Sequence, residues 1–337
     1  MINFFQQLFT KKTPAQAPTA SVIDVTVVTN SALTSLSIVG SAKEIWHTSS
    51  EFDQQYLRWL LDSQVGESSP YVEKTILLAL NKLQQSELGA SELLPRVPTV
   101  LFEVLKNLRD SKASSSSLAK VIAKDAVLVA ALLQEINASY YDLSSRVNSL
   151  DNAIQILGIN GLRMLIARTA FRPMMQTQTG KLTKKLAPLI WEHSEKTALA
   201  CQLLAQQRGL DQFATFLSGL LHNIGLIVAF RLVDLTGVTD HFPVSAEFQM
   251  AFFKQASRLS IQVGKQWELP ALVLRTMQDK DDDPNQQSEL AACLRQAEQL
   301  ARLQLLLKYG IITLPDAIAL LEGNAGLQAC FQRLNRA

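Results

Sequence analysis

The segment FLSGLLHNIGLIVAF, residues 216–230, carries the strongest indication of the fold. Apolar residues surround His222 and Asn223, and Gly225 marks a point where one apolar helix meets the next. A histidine and an amide at such a junction are predicted to face inward, between the helices. Asn223 is predicted to be a buried amide that ties the helix ends together by binding their orphan backbone groups.

The composition extends this interpretation to the whole chain. The 337 residues are 47% hydrophobic and 18% charged, which is typical of a globular protein with a sizeable core. Glycine and proline are sparse, with 14 and 11 residues, and this favours long helices over a turn-rich β architecture. We therefore predict an all-α fold. The formal net charge of +2 gives no global reason to expect a nucleic-acid partner.

Helical periodicity and capping residues divide the chain into three parts. Residues 1–90 are predicted to form a mostly helical extension, residues 91–283 a central domain, and residues 284–337 C-terminal helices that pack on it. Gly158 is predicted to separate two helices, and Asp211 to cap another. The most clearly bounded helices are predicted at 69–83, 182–208, 244–267, 270–278, 287–308 and 315–336.

Cysteine usage and hydropathy bear on the compartment. Cys201, Cys293 and Cys330 are isolated, without the paired spacing of a zinc site or a disulfide scaffold, and this fits a reducing cytoplasm. The longest uninterrupted apolar runs, such as 127–133 and 224–230, are far shorter than the roughly 20 residues of a membrane-spanning helix. We therefore expect a cytoplasmic protein without a transmembrane segment.

Motifs of several enzyme classes are missing from the sequence. It has no glycine-rich phosphate loop, HExxH helix, GxSxG elbow or CxxC pair. Only four histidines occur, so a metal site has few imidazoles to draw on. Of these, His222 and His193 stand out, because His193 lies in the helical segment LIWEHSEKTALA and is also placed to look inward.

Five motifs in order carry a resemblance to a known family. Together they resemble the HDOD family, a degenerate branch of the HD-domain superfamily of metal-dependent phosphohydrolases, over roughly residues 94–283. This implies an HD-like, multi-helical fold in a bacterial protein, and it leaves the first 90 residues unexplained. The motifs are LPRVP (94–98), IAKDAVLVAALLQEINASYY (122–141), VNSLDNAIQILGINGLRMLI (147–166), WEHS (191–194) and LSGLLHNIG (217–225).

The resemblance also implies where a metal would be bound. Catalytic HD relatives use a histidine, an adjacent His-Asp pair and a distant aspartate. His193 and His222 match the two histidines, but Asn223 stands in place of the paired aspartate and Glu298 lies near the distant one. Divalent cations depend on anionic oxygens, so metal affinity is expected to fall steeply. We therefore expect no catalytic residue, only the remnants His193, His222 and Asn223, and no metal or other cofactor; His193, His222 and Glu298 would be the ligands if a metal were held.

Less specific roles explain several of these residues equally well. His193 fits a buried histidine satisfied by one hydrogen bond. In the N-terminal extension, Trp46, Phe52, Tyr56 and Trp59 are predicted to form a small core of their own, although the extension could also be a sensor, a dimerisation element or a lid across the HD-like groove. The acidic segment DKDDDPN, 279–285, is predicted to be a solvated loop between helices.

A basic stretch lies in the middle of the central domain. No acidic residue lies between Asn152 and Trp191, so local charge is strongly positive. A solvated helix face explains this, and a surface for an acidic partner or nucleotide phosphates is the alternative. The candidate anion-binding residues are Arg163, Arg168, Arg172, Lys181, Lys184 and Lys185.

Three functions compete at this point. The preferred hypothesis is a non-catalytic signal-transduction or regulatory module that binds a signalling protein or a regulatory nucleotide. The alternative is a metal-dependent phosphohydrolase, resembling a phosphodiesterase, with a non-standard ligand set and a divalent metal as its cofactor. Direct nucleic-acid binding through the basic stretch ranks last, because only charge argues for it. A homo-oligomer stays open.

Overall fold

The computed structural model describes residues 49–61, 69–85, 93, 122–123, 126–137, 146–176, 180–237, 242–243, 245–283 and 285–336. Within these ranges the fold is all-α, as the sequence predicts. The described helices are α1 (Ser49–Leu61), α2 (Pro70–Gln85), α3 (Ala126–Ile136), α4 (Leu150–Gln176), α5 (Lys181–Arg208), α6 (Gln212–Leu221), α7 (Ile224–Leu235), α8 (Ala246–Gln266), α9 (Ala271–Asp279), α10 (Glu289–Lys308), α11 (Leu314–Ala319) and α12 (Ala325–Arg336).

Helix α5 lies at the centre of the fold and contacts α1, α4, α6, α7, α10 and α12. Its bounds agree with the predicted 182–208. Asp234 of α7 accepts hydrogen bonds from the backbone N–H groups of Leu182 and Thr183 and thereby satisfies two orphan donors at the N-terminus of α5. Gly209 ends the helix in the left-handed conformation, at φ 67°. Both ends of the helix are thus fixed, which gives side chains along it defined positions.

The α6–α7 junction is packed closely against its neighbours. Asp211 caps α6 by accepting a hydrogen bond from the backbone N–H of Ala214 at 2.9 Å, as predicted. A Cβ atom at Gly219 would lie 2.9 Å from the Cα of Ala198 in α5. One at Gly225 would lie 2.1 Å from a backbone oxygen of α8. Close approach on both sides fixes His222 and Asn223 between α5 and α8.

The same helix pair has the composition of a membrane span. Residues 212–235 are long and apolar enough to cross a membrane, but 94% of their most apolar part is buried inside the protein. The polar residues His222 and Asn223 interrupt the stretch. Its apolar character is therefore explained by its position in the core.

Two helix boundaries test the glycine predictions. Gly158 interrupts α4 with a φ of 64°, which separates a short N-terminal segment from the rest of the helix as predicted. The predicted helix at 315–336 is wrong, because the chain forms two shorter helices, α11 and α12. Gly323 adopts a φ of 84° between them, a conformation that ends a helix.

The C-terminal helices α10 and α12 pack on α5, and this brings the three cysteines together. Cys201, Cys293 and Cys330 are fully buried. Burial, followed by the proximity of Cys293 and Cys330, raises the pKa of the Cys201 thiol. Burial also raises the pKa of Cys293 to about 11 and that of Cys330 to about 12. The thiols thus stay protonated and contribute to packing.

The two described helices of the N-terminal extension dock at different places. Helix α2 begins at Pro70, as predicted, and packs on α7 and α8 through the fully buried Ile76 and Leu80. Helix α1 instead contacts α5 and α10. Residues 94–121, which begin with the LPRVP motif, lie outside the described residues.

Candidate functional site

Three of the predicted site residues meet in the interior. His193 of α5, His222 at the C-terminus of α6 and Glu298 of α10 each offer one ligand atom, and these atoms lie within 4.8 Å of one another. The exposed fractions of the three residues are 1%, 5% and 6%. The His193 and His222 rings stand edge to face, with centroids 5.5 Å apart. We call His193, His222, Asn223 and Glu298 the remnant site.

Two cations from the protein bind the carboxylate of this site. The Lys280 Nζ lies 2.9 Å from Glu298 Oε2, and an Arg302 guanidinium nitrogen lies 2.5 Å from Oε1. Burial raises the pKa of Glu298, but Arg302 and Lys280 outweigh it and hold that pKa well below its usual value. Burial lowers the pKa of Lys280, while Glu298 and then Asp281 outweigh it and raise that pKa. The carboxylate is therefore ionised and neutralised by fixed side chains.

Asn223 determines which nitrogen of His193 carries the proton. Its amide nitrogen lies 2.9 Å from His193 Nδ1 and 3.4 Å from Ser194 Oγ. Because an amide nitrogen only donates, Nδ1 is the acceptor and the neutral His193 ring carries its proton on Nε2. Burial, followed by the proximity of His222 and Arg302, lowers the pKa of His193 well below its usual value, so the ring is neutral.

The structure thus corrects the predicted role of Asn223. Its side chain does not cap the backbone of α7, and it is half-buried rather than buried. Instead, it binds the side chains of α5. The helix junction is closed by Ser260 of α8, whose hydroxyl donates to the His222 carbonyl at 2.6 Å and accepts from the Gly225 N–H at 2.9 Å.

His222 is oriented by a hydrogen bond in which its Nδ1, unlike that of His193, is the donor. Its Nδ1 lies 2.7 Å from the Gly219 carbonyl oxygen and therefore donates to it. In the neutral ring this leaves the lone pair on Nε2, which lies 3.6 Å from Glu298 Oε1. A histidine bound through one nitrogen to a carbonyl presents the other nitrogen as a metal ligand would.

The complete donor set nevertheless does not fit a divalent cation. The lone pair of His193 faces Asn223, and both oxygens of Glu298 are bound by Arg302 and Lys280. Only His222 presents a lone pair toward the centre of the cluster. A divalent cation would also have to approach two fixed positive charges, with a single carboxylate to offset them.

The site lies within a recognised domain. The sequence profile of the HDOD domain matches residues 94–282, more than half of the chain. The chain belongs to the HDOD family. His193, His222 and Lys280 fall inside the matched segment, whereas Glu298 and Arg302 follow it in the sequence. The remnant site is therefore completed from outside the HDOD match.

Solved structures share the fold at low identity. An HDOD domain protein from Geobacter sulfurreducens has a TM-score of 0.54 and 20% identity, over 77% of this chain and 88% of its own. A protein from Shewanella amazonensis SB2B, provisionally named a metal-dependent phosphohydrolase, has a TM-score of 0.54 and 18% identity, over 79% of this chain and 98% of its own. One from Marinobacter aquaeolei VT8, provisionally named a signal transduction protein, has a TM-score of 0.50 and 18% identity, over 82% of this chain and 68% of its own.

A curated relative is similar in sequence over part of its length. An uncharacterized protein of Treponema pallidum (strain Nichols) is 23% identical over 206 residues, which make up 58% of this chain. The aligned segment spans only 39% of that relative.

A residue from the extension also reaches the remnant site of the HDOD domain. The Tyr56 hydroxyl of α1 lies 3.0 Å from His193 Nδ1, and the Tyr56 ring centroid lies 4.8 Å from that of His193. The Arg302 guanidinium carbon lies 5.1 Å from the Tyr56 centroid, on the ring face. Tyr56 and Trp59 contact each other, as expected for a small core of the extension. The prediction that this core is separate is wrong for Tyr56, because its ring packs on His193. Trp46 and the Phe52 side chain lie outside the described residues.

The basic stretch does not form one open surface. Arg168 and Arg172 both bind Glu195 of α5 at 2.6 Å, and both bind Glu135 of α3, at 3.1 and 2.6 Å. We call these four residues the three-helix ion cluster. Arg163 is buried and lines a separate cleft of about 590 Å³ beside the starts of α6 and α9. The exposed members are Lys181, Lys184 and Lys185, in the first turns of α5.

The correction has a simple physical origin. The stretch itself lacks acidic residues, but the helices packed against it supply them. Local charge along the sequence therefore overstated the charge available to a partner. Anion binding by the three exposed lysines stays a prediction.

Sequence reasoning missed Lys280, Arg302 and Tyr56. Arg302 follows Glu298 by four residues, a spacing that indicates an ion pair on one helix face. Lys280 lies in the acidic segment 279–285, which was predicted to be a solvated loop. Asp281, Asp282 and Asp283 of this segment are exposed. Tyr56 precedes every family motif, and nothing in the sequence connects it with His193.

Proposed function

We propose that this HDOD protein is a non-catalytic signal-transduction or regulatory module, which acts by binding a signalling protein or a regulatory nucleotide. Its HD-type fold supplies a helical frame, and binding rather than hydrolysis is its activity. Neither a divalent metal nor another cofactor is required in this proposal. Nucleic acid ranks below both partners, because Arg168 and Arg172 are already bound to carboxylates.

One observation carries the proposal: Glu298 is bound on both oxygens by Lys280 and Arg302. In a metal-dependent hydrolase the cation polarises the phosphate and activates water, and it needs anionic ligands to remain bound. Here the positive charges belong to the protein. They stabilise the buried carboxylate without creating a Lewis acid.

Asn223 supports the same proposal independently. An aspartate at this position would add a negative charge beside His193, whereas the amide adds none. The amide also donates to the lone pair of His193, which directs a proton toward the centre of the site. Both effects disfavour a bound cation.

A metal-dependent phosphohydrolase is the competing function, and the convergence of His193, His222 and Glu298 within 4.8 Å favours it. It requires Lys280 and Arg302 to leave Glu298, and His193 to reverse its tautomer. The two proposals therefore differ in a measurable way.

The test is metal content and hydrolysis in the same preparation. The chain is purified without chelator and its Mn, Fe, Zn and Ni contents are measured by mass spectrometry. Phosphodiesterase activity is then assayed toward bis-p-nitrophenyl phosphate with added Mn²⁺, Fe²⁺ or Mg²⁺. The His222→Ala variant is the matched control.

We expect less than about 0.1 metal ion per chain, and the same background hydrolysis for the wild type and for His222→Ala. A single inner ligand removed from a working metal site commonly costs several orders of magnitude in rate. Stoichiometric metal, together with turnover that His222→Ala abolishes, would establish the phosphohydrolase instead.

A further inference from the structure

Helix α1 covers the remnant site from outside the HDOD match. It contacts α5 and α10, the helices that carry His193 and Glu298. Tyr56 is 3% exposed and places its hydroxyl on His193 and its ring face beneath Arg302. A single side chain of the extension therefore contacts two elements of the site.

A second aromatic residue of α1, Trp59, helps to dock the helix beside the remnant site. Trp59 packs between Tyr56 and Tyr309, with ring centroids 5.6 and 4.9 Å away. The Tyr309 hydroxyl donates to Glu192 Oε2 at 2.9 Å, and Lys308 binds the other oxygen of Glu192. These contacts fix the surface of α5 and α10 on which α1 docks.

The contact between Tyr56 and His193 can be broken while Nδ1 of the imidazole keeps a hydrogen-bond donor. Nδ1 has one in-plane lone pair, and two donors face it: the Tyr56 hydroxyl at 3.0 Å and the Asn223 amide at 2.9 Å. If Tyr56 withdraws, the Asn223 amide still occupies Nδ1. The Tyr56 hydroxyl regains hydrogen bonds from water, so this contact offers little resistance to opening.

Helix α1 is short, and its stability depends on how it docks. It has 13 residues, and helices this short are marginal in water unless they are docked. Its stability therefore depends on Leu60, Leu61, Tyr56 and Trp59 rather than on the helix itself. Helix α2, in contrast, is tied to α8 by hydrogen bonds from the Gln84 side chain to the Gln255 carbonyl and from the Gln262 side chain to the Gln84 carbonyl.

We propose that α1 is a removable cover of the remnant site, whose opening by local unfolding exposes His193 and His222 while the HDOD core stays folded. This inference deepens the proposed function and rests on it, because a partner can reach the buried His193 and His222 only if the helix above them moves away. The closed state dominates, since four largely apolar side chains hold it.

Histidine modification, with hydrogen exchange as the folding control, tests the cover. The full chain is treated with diethyl pyrocarbonate at neutral pH, and modification of His193 and His222 is followed by mass spectrometry. Amide exchange of α1, α2 and α5 is measured in parallel. The variants are Tyr56→Ala, Trp59→Ala and Tyr56→Phe; Tyr71→Ala, on the exposed face of α2 at 78% exposure, is the matched control.

In the wild type we expect α1 amides to exchange at least 10-fold faster than those of α5. Tyr56→Ala and Trp59→Ala should each raise histidine modification about 10-fold, with α5 exchange unchanged, because they remove an aromatic anchor of the cover. Tyr56→Phe should raise it less than about 3-fold, since Asn223 already satisfies Nδ1. Tyr71→Ala should change neither measurement.

Exchange of α1 only together with α5, or histidine modification that rises only when α5 also loses protection, would show that α1 is a fixed part of the core. That result would overturn the cover and leave the proposed function intact. Stoichiometric metal with turnover would overturn the proposed function, whereas the exchange and modification results would still decide the cover.

Discussion

The remnant site and the three-helix ion cluster are two groups of charged residues that differ in their charge balance. Glu135, Glu195, Arg168 and Arg172 form a closed set of two acids and two bases. In the remnant site a single acid, Glu298, faces two bases, and the imidazoles of His193 and His222 lie beside it. The acids and bases of the first set balance, while Glu298 carries one negative charge against two positive ones, and the exposed Asp281, 3.7 Å from Lys280 Nζ, offsets part of the difference.

The difference shows two ways in which side chains of opposite charge stabilise carboxylates inside the fold. A buried carboxylate requires positive partners, whether these are a metal ion or side chains. Lys280 and Arg302 meet that requirement for Glu298. The Gly219 carbonyl orients His222, and the Asn223 amide orients His193.

Removal of the carboxylate from the remnant site should produce the largest effect. In Glu298→Gln, the half-buried Lys280 and Arg302 remain near each other without their shared acid, and breaking a buried pair costs up to about 3–5 kcal/mol of unfolding free energy. Urea denaturation measures the loss. The matched change Glu322→Gln, at an exposed residue, should stay within about 0.5 kcal/mol. A loss below about 1 kcal/mol for Glu298→Gln would contradict the role of this carboxylate.

Acid should weaken the same interaction. The pKa of Glu298 in the folded protein lies well below the ordinary value of 4.5, so its stabilising contribution is fully present above that pH. It is lost as the pH falls through the lower, folded value. The stability difference between wild type and Glu298→Gln should therefore be constant from pH 7 to about 5 and narrow below about 4.5. Urea midpoints across this range provide the measurement, and a constant difference down to pH 3 would show that the carboxylate is not held ionised.

The three-helix ion cluster should tolerate the same kind of change better. In Glu135→Gln both arginines keep Glu195 as a partner, and Arg172, with its side chain 32% exposed, can also be solvated. We expect a loss of about 1–3 kcal/mol, smaller than that of Glu298→Gln, by urea denaturation. If Glu135→Gln were the more destabilising change, the comparison between the two sets would be reversed.

Local sequence predicted the parts of the fold that depend on local chemistry. Asp211 as a cap, Pro70 as a helix start and Gly158 as an interruption follow from backbone conformation and hydrogen bonding within a few residues. The motifs identified His193 and His222, and the family resemblance indicated Glu298 near the distant ligand position; the structure brings all three together. Gly323 carried a similar signal, which the apolar pattern around it concealed.

Contacts set by tertiary packing could not be predicted in this way. Lys280 follows α9 beside three exposed aspartates, and only the packing of α9 against α10 directs its side chain inward. Tyr56 reaches His193 across 137 positions of sequence. The acids that bind Arg168 and Arg172 come from other helices, so charge counted along the chain could not reveal them.

The central claim is that Lys280 and Arg302 take the place of a metal at Glu298. The most direct test is calorimetric titration with Mn²⁺ of the wild type, of the Asn223→Asp/Lys280→Met variant, and of Lys254→Met as an exposed control. The double variant adds a negative charge and removes a positive one, so we predict a gain in affinity of at least about 100-fold over a wild type with a Kd weaker than about 1 mM. Lys254→Met should behave as the wild type. Stoichiometric binding to the wild type with a Kd below about 10 µM would contradict the account.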